Sequence, residues 1–264
     1  MLIDSHCHLD FEVFDADREA ILARCDQLGI HRIIVPAVMV KTWDRLLSLT
    51  QNHDQLYPAL GLHPMFMTAH STVDIEKLQH YVDRFKPIAI GEIGLDFYAT
   101  DQGKKQQITL FEQQLRIAVS AKLPVILHVR KAHDQAIQSL KKFGVKGGIV
   151  HAFNGSEQQA ESYIKQGFLL GIGGNITYDR ATRTRQLFSQ LPLSAIALET
   201  DAPDMPLQGQ TASHNSPEAI SIIADSLATL RSETKHQIAS ATSQNVNQLF
   251  NLASFVQTRH KSPI

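Results

Sequence analysis

The stretch PVILHVRKAHDQAIQSLKKFGVKGGIVHA, residues 124–152, changes from strand to helix and back to strand within one short segment. Its two ends, 124–129 and 147–152, are short apolar runs rich in Ile and Val, which are typical of buried strands. The segment between them ends near Gly144, and glycine is common at helix C-termini. This order of elements predicts a βαβ unit with parallel strands.

The same alternation extends over the whole chain of 264 residues. Eight strands are predicted, near 2–8, 31–38, 56–62, 87–93, 124–129, 147–152, 168–174 and 195–200. Eight such strands separated by helices favour a (β/α)₈ TIM barrel, an α/β fold, and an open doubly wound sheet is the alternative. No GxGxxG loop follows the first strand, which argues against the open sheet. We therefore expect residues 1–264 to form a single barrel domain with an extra C-terminal helix around 235–251.

The composition excludes several classes of protein. Hydrophobic residues make up 43% of the chain, enough for a large core, and the net charge is −1. A surface that is basic overall is therefore excluded, and any binding of nucleic acid must be local. The two cysteines form no disulfide framework, and the longest apolar run, 33–40, is far shorter than a membrane span of roughly 20 residues. We expect a cytoplasmic protein with no membrane anchor and no obligate protein partner.

Polar residues follow most of the predicted strands at the same end. In a (β/α)₈ barrel this end of the strands carries the chemistry. The residues concerned are His6, His8, His63, Glu92, His128, His151, Glu199 and Asp201. Side chains alternate along a strand, so we expect His6 and His8 to point to one side and a buried Cys7 to the other.

Imidazoles and carboxylates without a thiolate are typical ligands of a divalent metal ion. They leave the ion open between Zn²⁺, Mn²⁺, Fe²⁺, Ni²⁺ and Mg²⁺. Without His63 and Glu199 the set has six members, too many for one tetrahedral ion and about right for two ions that share a carboxylate. Two such ions can activate a water molecule and stabilise both sides of a displacement. The residues therefore predict a hydrolase with two divalent ions per chain.

Six segments match a known family in order and spacing. DSHCHLDF, GLHP, GEIGLDF, PVILHVRKAHD, VHAFNGS and LETDAP resemble the signature segments of the TatD-type metal-dependent DNases, which are amidohydrolase-like TIM barrels. The resemblance extends from about residue 2 to residue 250, and the segment ETDAPDMPL is most similar to the YjjV branch.

The resemblance implies a role for each ligand. A first metal would be held by His6, His8 and Asp201. A second metal would be held by His128 and His151, with Glu92 bridging the two. Glu92 and Asp201 would be the catalytic residues, and Asp201 would act as the general base toward the activated water.

The resemblance also implies a phosphodiesterase or deoxyribonuclease, most simply a 3′–5′ exonuclease on single-stranded DNA, and the expected substrate is single-stranded DNA or a small phosphodiester. The expected contacts to substrate or phosphate are His63, Arg130, Arg180 and Asn215. One loop departs from the family pattern, because His214 stands where an arginine is common. Asp204 adds a negative charge near the open end of the expected site, and both changes weaken the expected binding of polynucleotide phosphates.

Two other functions remain open. A small-molecule amidohydrolase or esterase could use the same binuclear site, and the near-neutral charge and the altered loop favour it. The other is a non-catalytic scaffold or binding protein that kept the barrel. The intact set of ligands argues against this last alternative.

Overall fold

The computed structural model describes residues 1–98, 103–211 and 213–259. Eight parallel strands form one sheet in the order of the sequence, and each overlaps its predicted range. They are β1 Leu2–Asp4, β2 Ile30–Pro36, β3 Leu56–Leu60, β4 Ala89–Asp96, β5 Val125–Arg130, β6 Gly148–Val150, β7 Phe168–Ile172 and β8 Ile196–Leu198. The predicted (β/α)₈ barrel is confirmed.

Helices follow the strands and surround the sheet. Those that alternate with the strands are α1 Arg18–Gln27, α2 Val40–Asn52, α3 Asp74–Phe85, α4 Lys104–Ala121, α5 His133–Phe143, α6 Glu157–Ile164, α7 Thr182–Gln190 and α8 Ile220–Ala228. The predicted extra helix is α9 Lys235–Phe250, and a further helix, α10 Leu252–Arg259, follows it. None of the helices in the described ranges is long and apolar enough to cross a membrane.

Alternation of side chains along the strands produces two apolar layers. Residues that point outward, such as Leu127 and Val150, pack in one layer with the apolar faces of the helices. Residues that point inward fill the barrel, and they are Ile3, Ile34, Tyr57, Ala59, Ile88, Ala89, Ile126, Ile149, Leu169 and Ala197. Val246, Phe250 and Leu252 belong to this inner layer, so the junction of α9 and α10 closes the barrel at the N-terminal ends of the strands.

The barrel closes between β1 and β8 through a few hydrogen bonds. The Ser5 N–H donates to the Leu198 carbonyl at 3.0 Å. The carboxyl group of Asp4, which is fully buried, accepts from the N–H and the hydroxyl of Thr200 at 3.0 and 2.5 Å. This contact brings the loop after β1 beside the loop after β8, at the end of the barrel where the chemistry is expected.

The first strand is shorter than predicted, and it ends at Asp4 rather than at residue 8. Beyond Asp4 the backbone N–H groups donate to two different parts of the chain. The Cys7 N–H donates to the Ile34 carbonyl, and the His8 N–H donates to the Ala202 carbonyl. The predicted orientation is nevertheless confirmed, because the rings of His6 and His8 meet while Cys7 is buried in the outer apolar layer.

Strand β4 contains an irregularity that decides where Glu92 points. Ile90 and Ile93 both belong to the outer layer although they are three positions apart, an odd spacing, and the pairing with β5 shifts register between them. An extra residue in one strand reverses the alternation beyond it. The side chain of Glu92, which regular alternation from Ile90 would direct outward, faces the histidines at the end of the barrel instead.

We predict that Leu252→Ala destabilises the protein by about 2 to 5 kcal/mol, because it leaves a cavity in the layer that closes the barrel. Leu252 is 0% exposed. Urea unfolding followed by circular dichroism measures the change. Leu28→Ala is the matched control, since this leucine is 50% exposed and its replacement should change the free energy of unfolding by less than about 0.5 kcal/mol. Equal effects of the two variants would show that the junction does not close the barrel.

Candidate metal centre

The six predicted ligands come together at the C-terminal ends of the strands. His6 and His8 approach each other at their Nε2 atoms, 3.3 Å apart, and the rings of His6 and His151 stack with 3.8 Å between centroids. His128 lies further from His151, with 6.4 Å between ring centroids. The candidate ligands therefore occupy one continuous cluster, with His128 at one side.

Glu92 lies in the middle of this cluster, and its two oxygens face different histidines. Oε2 lies 3.2 Å from His6 Nε2 and 3.5 Å from His8 Nε2. Oε1 lies 3.2 Å from His128 Nδ1 and 3.2 Å from His63 Nε2. Each oxygen of this carboxylate therefore faces a separate group of imidazole nitrogens.

Asp201 also contacts histidines through both of its oxygens. Oδ1 lies 3.6 Å from His6 Nε2 and 3.7 Å from His8 Nε2. Oδ2 lies 3.5 Å from His151 Nε2. Asp201 and Glu92 thus face the same pair of imidazole nitrogens from two directions.

Three of the histidines have an acceptor oxygen close to the ring nitrogen that points away from the centre. The Pro36 carbonyl lies 3.1 Å from His8 Nδ1, and an Asp96 oxygen lies 3.0 Å from His128 Nε2. A Glu199 oxygen lies 3.0 Å from His151 Nδ1. An acceptor behind a histidine places the proton on that nitrogen and leaves the lone pair of the other nitrogen for a metal. The other nitrogen of each ring, Nε2 in His8 and His151 and Nδ1 in His128, faces the central carboxylates.

Asp96 is a site residue that the sequence analysis missed. It ends β4, is buried, and also accepts the Tyr98 N–H at 2.9 Å. The available signal was the acid in GEIGLDF, four residues beyond Glu92, at the same end of the strand. Its role depends on Gly94, where a Cβ would meet the His128 carbonyl oxygen at 1.9 Å, so only glycine lets β4 approach β5 this closely.

Glu199 shares a face with Asp201, as predicted, and the two carboxylates lie on either side of His151. Glu199 is fully buried and accepts the Ala152 N–H at 2.7 Å. A Cβ on Gly171 would come within 2.3 Å of its Oε2 atom, so this glycine of β7 makes room for the carboxylate. The geometry favours a role for Glu199 in orienting His151.

His63 contacts Glu92, but its hydrogen bonds argue against a role as a ligand. Its Nδ1 accepts the Met65 N–H at 3.2 Å. Burial lowers the pKa of His63, and the neutral ring then carries its proton on Nε2. That proton is donated to Glu92 Oε1. His63 therefore holds the carboxylate in place rather than offering a lone pair to an ion.

The surrounding imidazoles keep both central carboxylates ionised. Burial by itself would raise the pKa of Glu92, but electrostatic interaction with the imidazoles of His63 and His6 and hydrogen bonds with His128 and His6 outweigh it and hold this pKa well below its usual range. Burial likewise opposes ionisation of Asp201, and His151 lowers its pKa to about 2. Ionised carboxylates are the form that binds a divalent ion.

The donor set fits a divalent metal ion. Within the described parts of the chain, three trios have ligand atoms within 4.8 Å of one another: His6, His8 and Glu92; His63, Glu92 and His128; and His6, His151 and Glu199. Buried imidazole nitrogens and ionised carboxylates, with no thiolate among them, match Zn²⁺, Mn²⁺ or Ni²⁺. In addition, the buried Nδ1 of His6 has no hydrogen-bond partner in the described structure.

A cavity of about 330 Å³ opens beside the cluster. Its walls include His128, His151 and Asp201 on the side of the candidate metal centre. Arg130 also lines it, and its guanidinium carbon lies 3.6 Å from the centroid of the exposed Tyr98 ring. Of the predicted phosphate contacts other than His63, which lies within the cluster, Arg130 is therefore the one that lines the cavity.

The other two predicted substrate contacts lie elsewhere. Arg180 is exposed on the loop after β7, with its guanidinium carbon 5.1 Å from the centroid of the Tyr178 ring, and it does not line this cavity. Asn215 is fully buried, and its amide nitrogen donates to the carbonyls of Thr200 and Met205 at 2.9 and 3.1 Å. These bonds occupy both amide protons, so Asn215 holds the loop after β8 in place and has no donor left for a phosphate.

We predict that Asp96→Asn and Glu199→Gln each lower the affinity for a divalent ion by about 10- to 100-fold, because each removes the charge that orients a histidine. Equilibrium dialysis followed by elemental analysis measures this affinity without an activity assay. Glu76→Gln is the matched control, since this glutamate is exposed on α3 and far from the cluster. Unchanged affinity in both site variants would contradict an orienting role.

Comparison with known proteins agrees with this geometry. The family model described as "TatD related DNase" matches residues 3–251. The chain is 45% identical over 253 residues to the uncharacterized metal-dependent hydrolase YjjV of Escherichia coli K12, covering 95% of this chain and 98% of that protein. It is 30% identical over 260 residues to the 3′-5′ ssDNA/RNA exonuclease TatD of Erwinia tasmaniensis, covering 95% of this chain and all of the relative.

A solved structure shows the same fold. The crystal structure of YjjV from E. coli K12 superposes with a TM-score of 0.91 at 44% identity, over 95% of this chain and 98% of that one. The family model spans nearly the whole barrel, including every strand that carries a candidate ligand. The chain therefore belongs to the TatD-related DNase family.

Proposed function

We propose that this member of the family, a metal-dependent hydrolase that acts on ester bonds, cleaves phosphodiester bonds as a 3′–5′ exonuclease on single-stranded DNA. The observation that carries the proposal is the position of Glu92, whose two oxygens face two separate groups of imidazole nitrogens. The relative from E. tasmaniensis, named a 3′-5′ ssDNA/RNA exonuclease, supports this choice of substrate at 30% identity.

In this proposal the chain holds two divalent ions. His6, His8 and Asp201 would hold the first, His128 and His151 the second, and both would share Glu92. The ions, whether Zn²⁺, Mn²⁺, Mg²⁺ or Ni²⁺, would lower the pKa of water and offset the charge of a phosphate group. His63 would keep Glu92 in place through its Nε2–H bond to Oε1.

The remaining residues supply proton transfer and charge. Asp201, with a pKa of about 2, is ionised at neutral pH and would accept the proton of the attacking water. The oxygen of that water would form a bond to phosphorus, the P–O ester bond between the terminal nucleotide and the rest of the strand would break, and the leaving oxygen would take up the proton from Asp201. Arg130 would bind a phosphate oxygen from the wall of the cavity, and stacking on Tyr98 holds its guanidinium plane in position. We propose that these parts work within one barrel of residues 1–264.

A second candidate is a small-molecule amidohydrolase or esterase that uses the same site. The cavity beside the centre measures about 330 Å³, at the small end of the range for ligand pockets. Partial burial and the nearby Asp201 raise the pKa of Asp204, so a second acidic group lies beside Asp201. Both observations favour a compact substrate with little charge.

The two candidates are separated by one assay. Protein reconstituted with Mn²⁺, Mg²⁺ or Zn²⁺ is incubated with a single-stranded oligonucleotide that carries a label, and the products are separated by length. We expect stepwise shortening from the 3′ end. Glu92→Gln, purified in the same way, should lose the activity and so excludes a contaminating nuclease. Turnover of lactones, N-acyl amino acids or cyclic amides with no shortening of the oligonucleotide would favour the second candidate.

We predict that Arg130→Ala raises the KM for the oligonucleotide by about tenfold, because a charged hydrogen bond to phosphate contributes about 1.5 to 3 kcal/mol. Steady-state kinetics on the labelled strand measure it. Arg116→Ala is the matched control, since this exposed arginine also lies against an aromatic ring, Phe143, on the outer face of the barrel. The same KM in both variants would exclude Arg130 as a phosphate contact.

A further inference from the structure

We propose that a groove beside the candidate metal centre binds the 5′-ward part of a single-stranded polynucleotide whose 3′ end lies in the cavity. The groove lies between the N-terminal ends of α5 and α6 and has a volume of about 740 Å³. It is called the α5–α6 groove below, and the lining residues that matter are Phe97, Lys131, Asp134, Asn154, Gln159 and Arg183. The inference rests on the proposed function.

The α5–α6 groove continues directly from the catalytic cavity. Asn154 lines both spaces. Arg130 and Lys131 are consecutive residues at the end of β5, and the first lines the cavity while the second lines the groove. A strand that leaves the cavity beside Arg130 therefore meets Lys131 next.

Tyr98 lies beside Arg130, which lines the cavity, and Lys131, which lines the groove. Its ring centroid is 3.6 Å from the Arg130 guanidinium carbon and 5.1 Å from Lys131 Nζ. The residue is 56% exposed. An exposed aromatic ring between two basic side chains is a common arrangement on surfaces that bind single strands, because bases stack on the ring while phosphates contact the charges.

The charges of the α5–α6 groove favour an anionic chain. Lys131 and Arg183 are both exposed there, and Asp134 is the one carboxylate that lines the groove among the described residues. Asp134 accepts a hydrogen bond from the Gln159 amide at 2.8 Å, which offsets part of its charge. The local excess of positive charge contrasts with the net charge of −1 for the whole chain. This small basic surface suits a few phosphates of a single strand better than a duplex.

The sizes of the cavity and the groove predict that long substrates bind more tightly than short ones. The cavity of about 330 Å³ has room for the end of a strand only, whereas the adjoining groove is more than twice as large. A dinucleotide would fill the cavity without reaching Lys131 and Arg183. A longer strand would use both spaces and gain affinity from the groove.

The test is the double variant Lys131→Ala/Arg183→Ala, assayed as the metal-loaded full chain. Three substrates are compared: a single-stranded 12-mer, a dinucleotide, and bis(p-nitrophenyl) phosphate. We expect the KM for the 12-mer to rise about tenfold with kcat unchanged, and the KM values for the two short substrates to stay the same. The slope of log KM against log salt for the 12-mer should fall by about 1.4, since each lost phosphate contact on a single strand accounts for about 0.7.

Lys141→Ala/Arg116→Ala is the matched control, because it removes the same charge from exposed positions outside the groove. An unchanged KM for the 12-mer, or an equal rise for long and short substrates, would overturn the inference. The exonuclease proposal would still hold in that case if the native chain shortens the 12-mer. If the native chain leaves the 12-mer intact but hydrolyses bis(p-nitrophenyl) phosphate, the exonuclease proposal fails, and the inference fails with it.

Discussion

The structure of the site depends on one buried carboxylate, that of Glu92. Removing a charged group from water costs free energy unless opposite charges and hydrogen bonds surround it. Here four imidazole nitrogens lie within 3.5 Å of its oxygens, and they hold its pKa well below the usual range. Three of these nitrogens, those of His6, His8 and His128, are ones that a divalent ion would need, so the arrangement that keeps Glu92 charged is also one that can bind metal.

The barrel provides the rigid frame that this arrangement requires. The inner apolar layer fills the N-terminal half of the barrel, and the junction of α9 and α10 closes it from below. The polar cluster can therefore occupy only the opposite end. Asp4 and Thr200 connect the first strand to the last, which brings His6 and Asp201 together although they are far apart in the chain. Closure of the sheet thus brings residues that are far apart in the sequence into contact.

The residues around the centre divide into two groups with different tasks. Asp96, Glu199 and His63 are buried and fix the orientation of a ligand, so they act on the metal site. Arg130, Lys131 and Tyr98 are exposed at the rim and face the substrate side. The loops after the strands can change the second group without disturbing the first.

The sequence by itself determined the eight strands, the barrel and the cluster of ligand candidates, because strand alternation and the common polar end follow from local pattern. It also predicted correctly that His6 and His8 share a side while Cys7 is buried. Only the tertiary structure decided that β1 ends at Asp4 and that a register shift turns Glu92 inward. It also decided that the amide of Asn215 donates both of its protons to backbone carbonyls. The reason is physical: these outcomes depend on which partner each donor and acceptor meets across the barrel, and no local pattern of residues specifies that partner.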